Sequence, residues 1–177
     1  TLDTADKMIK PSVIVCGFGR VGQIICQMLD AQKIPYLALD LDVNAVMMGR
    51  EMGFNVAYGD TTSRDVLTEF GLRPRKVKSV VVALDNASTA RKCISTIRSI
   101  APRVKIFARA RNLADTHMLI GEGIETVLPE TIESSLFLGY SVLSSLGISD
   151  RKIENLLYDM RSDNYAALST VISDKND

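Results

Sequence analysis

The residues best suited to chemistry form a glycine-rich turn near the start of the chain. Residues 17–22 read GFGRVG, a G-x-G-x-x-G pattern that follows a β-branched run and opens a helical pattern. In this context the first glycine permits a tight turn, the second lets a phosphate approach the backbone, and the third lets the helix pack on the strand. Free N–H groups at the helix start then attract the phosphate. The residues predicted to form this site are Gly17, Phe18, Gly19, Arg20, Val21 and Gly22.

An acidic residue completes the pattern. Asp40 follows Gly22 by 18 residues and ends the second predicted strand, where an acid binds the ribose 2′-OH of a nucleotide. An unphosphorylated 2′-OH indicates NAD or an adenosine nucleotide rather than NADP. Leu41 and Asp42 come next, and two interpretations of Asp42 stay open. It either lines the same site or caps the helix that begins at Val43.

Further candidates follow the next three strands, because open α/β sheets bind ligands at the carboxyl ends of their strands. They are Gly59, Asp60 and Thr61 after the third strand, Asp85 and Asn86 after the fourth, and Arg109 and Arg111 after the fifth. A pair of arginines there suits a phosphate or a carboxylate. Two alternatives remain: Asp60 could cap the helix that begins near Ser63, and the arginines could form ordinary ion pairs.

Short apolar runs alternate with helical patterns along the chain. The predicted strands are 13–16, 36–39, 54–58, 79–84, 104–108 and 126–128, and the predicted helices are 21–31, 43–52, 63–70, 87–100, 113–122 and 131–146. This alternation predicts βαβ units and a parallel sheet covered on both faces. We therefore expect an α/β fold with a Rossmann-like, doubly wound, six-stranded parallel sheet and a C-terminal helical extension. The predicted divisions are a tail at 1–12, a nucleotide-binding domain at 13–128 and a helical dimerisation segment at 129–177.

Composition excludes several classes of protein. The 177 residues contain 21 Lys and Arg against 21 Asp and Glu, which argues against nucleic acid as a partner. No apolar run approaches the roughly 20 residues that cross a bilayer. The start lacks both a methionine and a secretory apolar segment, so we expect a piece of a longer protein.

Cysteine, histidine and methionine are each predicted to be structural. Three widely spaced cysteines do not form a disulfide framework. The single histidine, His117, makes a histidine-based metal site unfavourable, so no metal is expected and His117 is predicted to lie on a helix surface. Met47, Met48 and Met52 are predicted to pack in the core.

Six strands leave too little chain for a catalytic domain. After residue 128 there remain one long predicted helix and roughly 30 residues, and no Ser or Cys stands in an elbow motif. We therefore expect a chain that is not an enzyme and that binds a nucleotide without consuming it. Such a domain suits a sensor whose ligand shifts a conformational equilibrium.

Five motifs carry a resemblance to a known family. They are VIVCGFGRVGQ at 13–23, LALDLD at 37–42, YGDTT at 58–62, VVALDN at 81–86 and FARARN at 107–112. With VLPETIESSLFLG at 127–139, the sequence resembles RCK/KTN (TrkA-N-like) domains, the nucleotide-binding regulators of potassium channels and transporters. It is most similar to the soluble C-terminal domains of potassium efflux antiporters, of the bacterial glutathione-gated Kef type and the chloroplast KEA type.

The resemblance implies a function and partners. Such a domain hangs from a membrane potassium–proton antiporter, binds NAD(H) or AMP, ADP or ATP, forms a homodimer and gates ion exchange, while the membrane part handles potassium and protons. It would lie on the soluble face of the transporter, on the stromal side in a chloroplast or the cytoplasmic side of a bacterial inner membrane. A free-standing RCK/KTN subunit of a potassium uptake channel and a fragment of an NAD-dependent oxidoreductase are the alternatives.

The resemblance also assigns roles to residues. The glycines would hold phosphate with Arg20 reaching towards phosphate or a neighbouring subunit, Asp40 would bind the adenosine ribose, Asp60 and Thr61 would line the adenine end, Asp85 the far end, and Arg109 would lie near the phosphates. Residues 113–121 would contact a second copy. The two predicted helices within 113–146 also carry more apolar residues than a single Rossmann layer needs. Either all of these residues pack in the core, or one stripe faces a second copy, residues 151–177 cross or cap that interface, and Arg20, Arg109 and Arg111 lie near the boundary. Glutathione-gated members carry arginines where this chain has 117–120 (HMLI), so the chloroplast type is the better likeness even though Arg20 and Asn164 are preserved.

Overall fold

Strands and helices alternate along nearly the whole chain. A computed structural model describes residues 10–173, and the side-chain surroundings of residues 10–168. The strands are β1 (Val13–Cys16), β2 (Tyr36–Asp40), β3 (Val56–Tyr58), β4 (Ser79–Val82), β5 (Lys105–Ala110) and β6 (Thr126–Pro129). The helices are α1 (Arg20–Ala31), α2 (Val43–Glu51), α3 (Arg64–Glu69), α4 (Ala87–Ile100), α5 (Leu113–Ile120), α6 (Glu130–Ser145) and α7 (Asp150–Ser173). Every element predicted within 13–146 is present, with ends that agree within two residues.

All six strands are parallel and form one sheet in the order β3-β2-β1-β4-β5-β6. The predicted doubly wound fold is therefore confirmed. The chain winds outwards in one direction from β1 to β3 and in the other from β4 to β6. The strand order thus reverses between β1 and β4, which is where such sheets open a crevice at their carboxyl edge.

Each face of the sheet has its own apolar core. One face packs under α3, α4 and α5 through residues such as Ile14, Val80 and Ile97. The opposite face packs under α1 and α2 through residues such as Val15 and Cys26. This division follows from alternate side chains along a strand pointing to opposite faces.

The three cysteines, all within the described residues, are buried in these cores. Each is a free thiol and none forms a disulfide. A hydrogen bond with Cys93 and complete burial raise the pKa of the Cys16 thiol. Burial raises the pKa of Cys26 to about 12. A raised pKa makes the thiols of Cys16 and Cys26 poor nucleophiles. Cys93 is completely buried, so all three cysteines serve packing. His117 is exposed on α5, as predicted.

The prediction that Met47 and Met48 of α2 and Met52, which follows it, lie in the core is wrong. Met47, Met48 and Met52 are 57%, 59% and 64% exposed. The buried side of α2 is formed by Val46 and Gly49, one helical turn apart. Gly49 brings the helix so close to the sheet that a Cβ atom there would lie 2.5 Å from the Phe18 ring. The methionines therefore fall on the outer side of α2.

The C-terminal extension consists of α6 and α7, which pack against each other and α5. Leu113, Ile132 and Leu136 form a small third core with apolar residues of α7. The path of α7 bends at 162–165, where Asp163, Asn164 and Tyr165 have φ angles of 52°, 52° and 63°. Within residues 10–173, no helix combines the length and apolarity needed to cross a membrane.

A carboxylate clamp holds the bend in α7 against α6. Glu133 accepts hydrogen bonds from the Tyr165 hydroxyl at 2.6 Å and from the Arg161 guanidinium at 2.8 Å. The bond from Arg161 outweighs partial burial and lowers the pKa of Glu133. The clamp therefore keeps its charge pairing at neutral pH.

Candidate functional site

The glycine-rich turn lies at the carboxyl end of β1, and two of its glycines are required by packing. Gly17 has a φ angle of +103°, and a Cβ atom there would lie 2.7 Å from the carbonyl oxygen of Ala83. A Cβ atom on Gly22 would lie 2.1 Å from the carbonyl oxygen of Gly17. Any side chain at Gly22 would push α1 away from the turn. These two residues therefore seat the N-terminus of α1 directly on β1.

The middle glycine faces open space. No described heavy atom lies within 4 Å of a Cβ built on Gly19. Gly19 is also the N-cap of α1, and among the described residues no side chain caps this helix and no acid occupies its first turn. The first N–H groups and the positive end of the helix dipole therefore face this space, the arrangement that binds a phosphate.

Asp40 ties the end of β2 to the glycine-rich turn. One oxygen of its carboxylate accepts a hydrogen bond from the Phe18 N–H at 2.7 Å, and the other accepts from the Asp42 N–H at 2.8 Å. Each carboxylate oxygen can accept a second hydrogen bond. Asp40 can therefore position the turn and still accept a hydrogen bond from a hydroxyl group.

Asp42 caps α2, so the capping interpretation is confirmed. Its side chain accepts hydrogen bonds from the N–H groups of Asn44 at 2.9 Å and Ala45 at 3.3 Å. Asp42 nevertheless borders the same crevice as Asp40, so the two interpretations of this residue do not exclude each other.

Arg109 joins two carboxylates on the other side of the crevice. Its guanidinium donates to Asp85 at 2.6 Å and, from Nε, to Glu130 at 2.8 Å, with a second bond from Nη2 to the same Glu130 oxygen. The Arg109 side chain is only 15% exposed. Arg111, in contrast, is exposed and lies 3.9 Å from Asp115. Both arginines thus form ion pairs, and Arg109 does so while facing the crevice.

These groups surround a crevice of about 820 Å³, within the range of ligand-binding pockets. The predicted site residues that line it are Gly17, Phe18, Gly19, Arg20, Val21, Asp40, Asp42, Asp85 and Arg109. The Phe18 side chain is buried in the core against Phe54, so Phe18 contributes its backbone. Nine of the predicted residues therefore lie together around one crevice.

Seven candidates from the sequence are not among the residues that line the crevice: Gly22, Leu41, Gly59, Asp60, Thr61, Asn86 and Arg111. Asn86 caps α4 by accepting from the Thr89 N–H at 3.0 Å. Asp60 accepts from the Thr62 N–H and hydroxyl, and Ser63 caps α3, so the alternative that Asp60 caps α3 is wrong. The side chains of Asn86 and Asp60 therefore bind groups of their own turns.

Six lining residues were not predicted: Gln23, Ile24, Ala45, Ala83, Leu84 and Glu130. Glu130 is the first residue of α6 and directly follows β6, so applying the strand-end rule to the sixth strand would have found it. Ala83 and Leu84 were assigned to β4, but this strand ends at Val82. They therefore belong to the loop that closes the crevice.

Residues 13–130 match the family model of the TrkA-N domain. The chain is 36% identical over 157 residues to K(+) efflux antiporter 1, chloroplastic, and 34% identical over 157 residues to K(+) efflux antiporter 2, chloroplastic, both from Arabidopsis thaliana. These alignments cover 89% of this chain and 13% of each relative. The chain therefore spans about an eighth of the length of these curated relatives.

Solved structures share the fold. The C-terminal domain (CTD) of Kef from Shewanella denitrificans, in AMP-bound form, has a TM-score of 0.73 and 26% identity, covering 90% of this chain and 98% of that one. The TrkA-N domain of inner membrane protein ybaL from Escherichia coli has a TM-score of 0.65 and 21% identity, covering 75% and 96%. The GsuK channel bound to NAD has a TM-score of 0.67 and 19% identity, covering 75% and 24%.

Substitution by alanine should destabilise the fold much more at Gly22 than at Gly19. Gly22→Ala should lower the free energy of unfolding by more than about 2 kcal/mol, because its Cβ would overlap the Gly17 carbonyl. Gly19→Ala should change it by less than about 1 kcal/mol, because its Cβ enters open space. Urea denaturation followed by circular dichroism measures both. Equal destabilisation by the two substitutions would contradict this description of the turn.

Proposed function

Because this chain belongs to the TrkA-N domain family, we propose that it binds an adenine nucleotide without consuming it and thereby regulates a membrane potassium–proton antiporter. The candidate nucleotides are NAD(H), AMP, ADP and ATP. The observation that carries the proposal is the open space at Gly19 above the uncapped N-terminus of α1. The likeness to a Kef CTD in AMP-bound form supports it.

The crevice suits a nucleotide laid across the switch between β1 and β4. The phosphate nearest the adenosine would accept hydrogen bonds from the first N–H groups of α1, with Arg20 beside it. A ribose hydroxyl would donate to Asp40, which retains acceptor capacity. The adenosine would then lie on the β2 side, and the rest of the ligand would extend towards β4 and β5.

The crevice lining supports binding rather than turnover. Among the described residues that line it there is no Ser, Thr, Cys, His or Lys. The carboxylates of Asp40 and Asp42 accept backbone hydrogen bonds, and those of Asp85 and Glu130 pair with Arg109. We therefore propose a regulatory domain, not an enzyme.

Regulation requires that the ligand favour one conformation over another. Arg109 could couple ligand binding to a movement of α6, because it lines the crevice and also binds Glu130 at the start of α6. A ligand that rearranges the Asp85–Arg109–Glu130 bridge would shift α6 relative to the sheet. The crevice and the C-terminal extension would then respond together.

The curated relatives support an antiporter as the protein that this domain regulates. Both are potassium efflux antiporters of which this chain matches 13%. We place the antiporter part in the same polypeptide, with this domain on its aqueous face: the stromal side in a chloroplast, or the cytoplasmic side of the inner membrane in a bacterium. Potassium and protons would be handled by the membrane part.

The domain is proposed to act as a homodimer. The outer side of α6 exposes Phe137 at 73%, Leu138 at 67%, Val142 and Leu146. A contiguous apolar stripe of this kind is typical of an interface. Arg111 lies beside the same helix, lining a cavity with Thr131, Ser135 and Leu138. A second copy on α6 would place Arg109 and Arg111 near the subunit boundary, and a pair of crevices could then act on each other.

Nucleotide binding should depend on the open space at Gly19. Calorimetry of the unmodified chain should detect binding of AMP or NAD⁺, and Gly19→Val should abolish it because the side chain would occupy the phosphate position. Ala31→Val is the control, since Ala31 is exposed at the C-terminal end of α1 and does not line the crevice. Nucleotide raising the melting temperature of Gly19→Val as much as that of the unmodified chain would refute the proposed site.

The same pair of variants tests regulation in the full-length transporter. In vesicles, nucleotide should change the rate of potassium–proton exchange for the native protein and for Ala31→Val, but not for Gly19→Val. A nucleotide response that survives Gly19→Val would show that regulation does not pass through this crevice.

Self-association should depend on the outer side of α6. Sedimentation velocity should show a dimer at micromolar concentration, and Phe137→Glu should give a monomer because the interface would bury an unpaired charge. Met28→Glu, at an exposed apolar position on α1, should leave the dimer intact. A monomer for the unmodified chain, with and without ATP and NADH, would remove the dimer from this proposal.

A further inference from the structure

The crevice carries more negative than positive side chains, which is unusual for a phosphate site. Its lining contains two arginines, Arg20 and Arg109, and four carboxylates. The carboxylates are Asp40, Asp42, Asp85 and Glu130. A highly charged anion therefore meets repulsion somewhere in this crevice, and the position of each carboxylate decides where.

Two of the carboxylates lie on the β2 side and are stabilised by backbone N–H groups. Asp40 accepts from Phe18 and Asp42, and Asp42 caps α2. Both form part of the local backbone structure at the adenosine end. They lie on the side of the uncapped α1 N-terminus, whose positive dipole end offsets their charge.

The other two carboxylates share one guanidinium on the β4–β5 side. Arg109 donates one hydrogen bond to Asp85 and two to Glu130. One positive charge thus faces two negative charges, and three N–H donations of Arg109 are already directed at them. The Asp85 side chain is 82% exposed and the Glu130 side chain 40% exposed. Their carboxylate oxygens and their excess negative charge therefore remain available to a ligand.

A ligand that extends beyond its first phosphate must contact the carboxylates of Asp85 and Glu130. With adenosine beside Asp40 and a phosphate at α1, the crevice continues only past Ala83 and Leu84 towards Asp85 and Glu130 within its described lining. A terminal phosphate of ATP would meet these carboxylates. A ribose would instead donate its hydroxyls to them, and a pyridinium ring would be attracted.

Resting on the proposed nucleotide site, we propose that Asp85 and Glu130 set its ligand preference. They reject a polyphosphate tail and accept a second half that is neutral or cationic and rich in hydroxyl groups, as in NAD⁺. AMP is also accepted, because it ends at the first phosphate. The two carboxylates are therefore specificity-determining residues of the crevice.

Calorimetry with AMP, ATP and NAD⁺, in EDTA to keep divalent cations off the phosphates, tests this preference. In the unmodified chain ATP should bind about tenfold more weakly than AMP or NAD⁺, as expected for like charges at crevice distances. Asp85→Asn should remove about that factor for ATP, change AMP by less than about twofold, and weaken NAD⁺. Asp85 is largely exposed, so its substitution leaves the fold intact, and Glu130→Gln provides a second variant with the same expected direction.

Asp65→Asn is the matched control, because it makes the same change of net charge at an exposed position in the first turn of α3. The inference is overturned if ATP binds the unmodified chain as tightly as AMP, or if Asp85→Asn and Asp65→Asn change the ratio of ATP to AMP affinity equally. AMP binding without discrimination would leave the proposed function standing and remove only this inference. Binding of none of the three nucleotides would remove both.

Discussion

The close contact between Gly22 and the carbonyl oxygen of Gly17 determines the geometry of the crevice. A Cβ atom at Gly22 would lie 2.1 Å from that oxygen, so α1 can begin directly on the end of β1 only because residue 22 has no side chain. This contact aims the uncapped N–H groups of α1 over the carboxyl edge of the sheet. Asp40 then fixes the turn from the β2 side through the Phe18 N–H. The proposed phosphate position is therefore organised before any ligand arrives, which would reduce the cost of binding.

The opposite wall of the crevice connects this position to the rest of the molecule. Arg109 ends near Glu130, which begins α6, and α6 carries both the third apolar core and an exposed apolar stripe. Glu133, one turn further along α6, holds the bend of α7 through Arg161 and Tyr165. A single helix thus lies between the crevice and the surface proposed to meet a second copy. In the proposed dimer, a ligand that moves α6 would thereby change the contact between the two copies.

Local signals made the fold and the phosphate turn predictable from the sequence. The apolar strands, the glycine spacing and Asp40 depend on neighbours along the chain, and the structure places them as expected. Signals that depend on tertiary packing were weaker. Methionine at Met47 and Met48 is compatible with core or surface, and only the close approach of α2 at Gly49 turns it outward. Glu130 directly follows β6, so the strand-end rule covers it, whereas the bend of α7, which the clamp at Glu133 holds, has no local sequence pattern.

The backbone amide resonances of the glycine-rich turn show whether a phosphate binds at the start of α1. In a nitrogen–proton correlation spectrum of the uniformly labelled chain titrated with AMP, we expect saturable shifts at Gly19, Arg20 and Val21, since their N–H groups would donate to the phosphate. The amide of Phe18 should shift with them, because its hydrogen bond to Asp40 adjoins the proposed ribose position. Saturable shifts confined to residues outside the crevice, with these four amides unchanged, would show that AMP binds elsewhere on the chain.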